Sequence, residues 1–63
     1  MKEVLLKMLM EIGYPNTVRI YRWEVIKSKR FITVYFINCM FPHSKTFKTR
    51  QFLQHLFIYE RSS

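Results

Sequence analysis

From Lys2 to Ile12 the apolar residues Val4, Leu5, Met8, Leu9 and Ile12 form one stripe of a 3.6-residue period. The spacing predicts an amphipathic helix. On its polar side Glu3 and Lys7, and then Lys7 and Glu11, are i,i+4 pairs of opposite charge, each worth about 0.2 to 0.5 kcal/mol. Gly13 supplies the left-handed position that ends such a helix, and Pro15 bars its continuation. Leu6 and Met10, one turn apart and off the main stripe, leave a second apolar strip, either a homodimer contact or the stray surface apolar residues that are commoner on folded proteins.

After Gly13-Tyr14-Pro15-Asn16 the period changes from helical to alternating. The segments Thr17 to Ile26 and Phe31 to Cys39 are rich in β-branched and aromatic residues and predict two strands. Lys27-Ser28-Lys29-Arg30 between them is short enough to close an antiparallel hairpin, although it lacks the Asn-Gly or Asp-Gly of a tight turn. In the second strand Ile32, Val34 and Phe36 form the uniformly apolar face and should point at the helices, leaving Phe31, Thr33, Tyr35 and Ile37 on the other. The first strand is internally inconsistent. If Val18 and Ile20 point inward, strict alternation drives Arg22 and Glu24 into the core, so a bulge is expected near Arg22.

Pro42-His43-Ser44 interrupts the second strand, and a short piece around Lys45 to Phe47 is read as a third, edge strand. Thr49 is a plausible N-cap for a closing helix to about Glu60. Its inner side would be Phe52, Leu53, Leu56, Phe57 and Tyr59, with Arg50, Gln51, Gln54 and His55 facing out. The chain therefore reads as a small α+β domain spanning residues 1–63, ordered α-β-β-(β)-α, an antiparallel hairpin packed against two helices.

Charge changes this picture from fold to partner. Eleven Lys and Arg against four acidic residues give +7, while 49% hydrophobic residues argue for folding rather than for a disordered basic tail. The first helix is balanced, and so is the tail after Phe52. All of the excess lies in Arg19, Arg22, Lys27, Lys29, Arg30, Lys45, Lys48 and Arg50, which meet only Glu24. Such a concentration attracts polyanions, nucleic acid first among them, if folding gathers it onto one exterior region. Tyr21, Trp23, Phe31 and Tyr35 alternate with these cations and are expected on one sheet face. There they would form a platform for unpaired bases, or else be covered by a helix or another subunit.

Other chemistry is poorly provided for. Cys39, His43 and His55 are three donors without a second Cys pair, a weak metal set, and Cys39 reads better as a buried structural residue. Glu24 among cations is a salt-bridge partner before it is a general base. A single Gly leaves no phosphate-cradling loop, so neither an enzyme nor a cofactor is expected. One Cys excludes an internal disulfide framework. The longest apolar stretch, Phe31 to Phe41, is too short to cross a bilayer, and the first residues lack the regions of a signal peptide. A cytoplasmic or nucleoid setting is expected. The absence of Ala beside an excess of Phe, Tyr, Ile, Met, Asn and Lys suggests an AT-rich, viral or mobile-element gene.

An amphipathic first helix ending in Gly13-Tyr14, a small sheet, and Phe41-Pro42-His43-Ser44-Lys45 leading into a closing helix resemble small double-stranded-RNA-binding-like folds, specifically the HicA-type mRNA interferase toxins. That family carries its catalytic histidine in a Gly-Ser-His-type motif on a strand. The nearest stretch here, Lys27-Ser28-Lys29-Arg30, has none, so the resemblance implies RNA binding without ribonuclease activity. Two function classes follow: a non-enzymatic nucleic-acid-binding protein, with RNA or single strands preferred, and a protein inhibitor or adaptor that docks on an acidic protein surface.

Overall fold

The computed structural model describes residues 1–62 and orders them as α1 (Lys2–Glu11), β1 (Arg19–Ile26), β2 (Phe31–Asn38), β3 (Phe41–Lys48) and α2 (Thr49–Ser62). The three strands form one antiparallel sheet in the order β1-β2-β3. Both helices pack on the same side of it, around one apolar cluster.

Helix α1 buries the predicted stripe, Val4, Leu5, Met8 and Leu9. Ile12 occupies the C-cap and stays half exposed. Gly13 follows with φ 113, where a side chain would be strained, and the amides of Gly13 and Tyr14 return to the carbonyls of Met10 and Leu9 at 3.1 Å. This sharp stop places Tyr14 edge-on against Phe36, ring centroids 4.9 Å apart.

Strand β2 is central and divides as its alternation requires: Ile32, Val34 and Phe36 are sealed beneath the helices. Partners across an antiparallel ladder share a face. Ile20 pairs with Phe36, but the register then shifts, and Arg22 pairs with Tyr35, Trp23 with Val34 and Glu24 with Thr33. Tyr21 is the extra residue. The bulge expected near Arg22 is thus present between Ile20 and Arg22, and it turns Arg22 and Glu24 outward.

The same shift corrects the expected aromatic platform. Trp23 pairs with Val34 on the helix side and packs against the core, away from Tyr21 and Tyr35. A single inserted residue reverses every side chain after it.

Strand β3 is longer than the expected piece around Lys45 to Phe47. It begins at Phe41 and tolerates Pro42, because an edge strand can spare a donor. A two-residue turn, Cys39 and Met40 with φ 52 and 70, joins it to β2. Cys39, expected to be buried, is exposed at that tip because the turn lifts it off the ladder.

Helix α2 starts directly from β3. Thr49 is its first residue rather than its cap, and Thr49 Oγ1 is buried with no hydrogen-bond partner among the described residues. Phe52 is buried and Leu56 and Tyr59 pack on the core, whereas Leu53 and Phe57 are 54% and 60% exposed. They sit off the Phe52–Leu56–Tyr59 line by about a quarter turn or more, which the three-stranded sheet is too narrow to cover. His55, expected to face solvent, is half-buried instead, bonded to Glu11 of α1 and to the carbonyl of Gln51.

Candidate functional site

The sheet has one covered face and one open face. On the open face lie Arg19, Arg22, Glu24 and Ile26 of β1, Phe31, Thr33, Tyr35 and Ile37 of β2, and Ser44, Thr46 and Lys48 of β3. Tyr21 leans onto it from the bulge, its ring centroid 6.5 Å from that of Tyr35. Arg22 stacks its guanidinium 4.3 Å from the Tyr35 centroid, and the Tyr35 hydroxyl donates to Glu24 at 2.7 Å. Arg22 also stands 3.8 Å from Glu24, an exposed and hence weak ion pair. Thr33 and Thr46 share a hydroxyl hydrogen bond of 3.0 Å, which holds β3 to β2 through side chains as well as backbone.

The cations cluster at one end of this face. The β1–β2 turn carries Lys27, Lys29 and Arg30, with Lys27, Ser28 and Lys29 at positive φ, so the turn curls tightly and presents its side chains outward. Antiparallel pairing brings the end of β3 to the same edge, with Lys48 opposite Phe31, and the Thr49 amide donates to the Arg30 carbonyl at 2.9 Å. That bond ties the turn to the first turn of α2, where Arg50 sits. The result is an open groove of about 660 Å³ lined by Lys29, Arg30, Phe31, Lys48, Thr49, Arg50, Leu53 and Gln54. No carboxylate lies among these residues. Lys27 reaches over the Phe31 ring, its Nζ 5.3 Å from the centroid.

The remaining cations are placed differently. Arg22 and Arg19 continue along the open face, Arg22 midway and Arg19 toward the far end of β1. Lys45 pairs with Val34, which puts it on the helix side, where its Nζ lies 6.0 Å from the Tyr14 ring centroid. The expectation that all eight cations gather on one region is therefore corrected for Lys45, since the β3 register alternates it away from Lys48.

The groove itself was legible only in part. The cations of the turn and of Thr49-Arg50 are conspicuous in the chain, but the helical period places Leu53 on the inner side of α2, whereas it is exposed at the groove. The register offers the missing signal: the start of β2 and the end of β3 must share an edge, so the turn and α2 must meet there. Elsewhere, His43 stacks on Phe36 at 5.6 Å, and no group of three His, Cys, Asp or Glu side chains able to hold a metal occurs among the described residues. No helix among them is long and apolar enough to cross a membrane.

Comparisons with protein-family models, with curated proteins and with solved structures return no match.

Proposed function

We propose that the protein is a non-enzymatic nucleic-acid-binding protein of the cytoplasm or nucleoid that grips phosphates with its basic end. The observation that carries this reading is the convergence of Lys29, Arg30, Lys48 and Arg50 from a turn, a strand end and a helix start around one groove free of carboxylates. Four cations at one place lower the stability of the isolated fold through mutual repulsion; the phosphates of a polyanion neutralise them, and release of the polyanion's condensed counterions adds to the affinity. Arg22 and Arg19 extend the positive track along the open face, where Tyr35 and Tyr21 offer flat rings beside them. Such contacts carry little sequence information, so binding is general.

A gel-shift panel of single-stranded RNA, single-stranded DNA and duplex DNA at two salt concentrations tests it. All three should shift at low salt and release at high salt, with single strands held longest. Binding that ignores salt, or that is absent for every nucleic acid, would refute the proposal.

A second reading rests on a different observation. Phe57 and Ile58 are 60% and 62% exposed on α2, apolar surface that phosphate binding does not use. That patch favours the inhibitor or adaptor class, in which the basic end meets an acidic protein surface and α2 supplies the apolar contact. Phe57→Ser should leave nucleic-acid affinity unchanged under the first reading and abolish partner binding under the second.

A further inference from the structure

We propose that the groove at the basic end is a base-binding subsite that takes one unpaired nucleotide of a single strand. The inference rests on the nucleic-acid reading and adds to it the form of the substrate. The groove is amphiphilic in an ordered way: Phe31 and Leu53 provide a wall that is mostly carbon, while Lys29, Arg30, Lys48 and Arg50 provide a cationic rim. A phosphate clamp alone has no use for the wall. Leu53, 54% exposed, lines the groove from α2 at a cost in exposed apolar surface that an apolar occupant recovers.

An unpaired nucleotide fits both parts. Its base is flat and apolar on its faces and stacks on a ring, and its two flanking phosphates lie where the rim stands. The volume, about 660 Å³, falls within the range of small-molecule sites. A duplex turns its bases inward and presents a convex row of phosphates, so it engages the rim and leaves the wall bare. The half-buried Phe31 ring carries the flexible Lys27 over it, and a lysine can swing away to a phosphate when a base arrives. Arg22 lies on the same sheet face as Phe31, so the rest of the strand can follow that face away from the groove.

Fluorescence anisotropy on the full chain tests the inference with three labelled probes: a short oligothymidylate, an abasic strand of equal length, and a blunt duplex. Oligothymidylate should bind tighter than the abasic strand by roughly 5- to 150-fold, the worth of one stacked base. Leu53→Ser should bring that ratio close to one by weakening thymidylate binding far more than abasic binding, with the salt dependence of both retained. Phe31→Ala should do the same, with circular dichroism confirming that each variant is folded. Equal affinity of the unmodified protein for thymidylate and abasic strands overturns the subsite and leaves nucleic-acid binding standing. Failure to bind any of the three overturns both. Displacement of thymidylate by a phosphotyrosine peptide at a lower concentration than by thymidylate itself assigns the groove to a protein partner and overturns the inference.

Discussion

Replacing Trp23 with Ala separates the two faces of the sheet in one experiment. The side chain stands opposite Val34, which is fully buried, and packs on the core without being wholly enclosed. A fully buried Trp→Ala change costs about 3 to 5 kcal/mol, so a half-enclosed ring at the margin of the core should cost about 2 kcal/mol. A domain of 63 residues has roughly 3 to 9 kcal/mol in total. The variant should therefore remain folded in dilute buffer but lose a large share of its margin. With a urea slope near 1 kcal/mol per molar, the unfolding midpoint by circular dichroism should fall by about 2 M. Affinity for single-stranded nucleic acid, measured below the transition, should stay within about twofold, because the ring does not reach the open face. An unchanged midpoint with sharply weakened binding would refute the reasoning, since it would place Trp23 beside Tyr35 and remove the bulge.

Three further outcomes follow from particular contacts. The protonated His55 ring donates to the Gln51 carbonyl and to Glu11, and these bonds hold its pKa above the ordinary 6.5 against the opposing effect of burial. Because the folded value is raised, the stabilisation is complete below about pH 6.5 and is lost as pH rises through the higher folded value. Unfolding free energies from urea titrations should accordingly decline from mildly acidic to mildly alkaline buffer by about 0.5 kcal/mol, the magnitude of a largely solvent-screened pair, and His55→Gln should flatten that decline. Glu24→Gln removes the carboxylate that stands beside Arg22 on the open face while its amide oxygen still accepts from Tyr35, so nucleic-acid affinity should rise about two- to fivefold in filter binding. Lys45→Ala, on the helix side, should leave that affinity nearly unchanged.

The order of elements could be read from the chain because each was announced by a local rule: the α1 stripe, the stop at Gly13 and Pro15, and the even-numbered face of β2. The bulge could be located because the alternative buries Arg22 and Glu24. Strict alternation puts Trp23 beside Tyr35, but it carries a residue forward only while the register holds, and the shift after Ile20 sends Trp23 to the helix side. Pro42 argues against a strand in general, so the chain alone shortens β3, and only the sheet order shows that this strand is an edge. The Cys39–Met40 turn reaches positive φ without glycine or asparagine, so no local signal announces it. The basic end was visible as a cluster of residues in the chain. The groove was not, because its wall pairs Phe31 with Leu53 across 22 positions and depends on how α2 leaves β3.

The proposed function requires the cations of the basic end to act together on one polyanion. Its most direct test is the salt dependence of single-strand binding for the unmodified protein and for a variant carrying Lys29→Ala, Arg30→Ala, Lys48→Ala and Arg50→Ala together. Neutralising four to six phosphates predicts that log K falls with log salt at a slope of roughly −3 to −5, and the variant should lose roughly two to three of that slope. An identical slope in both proteins would contradict it.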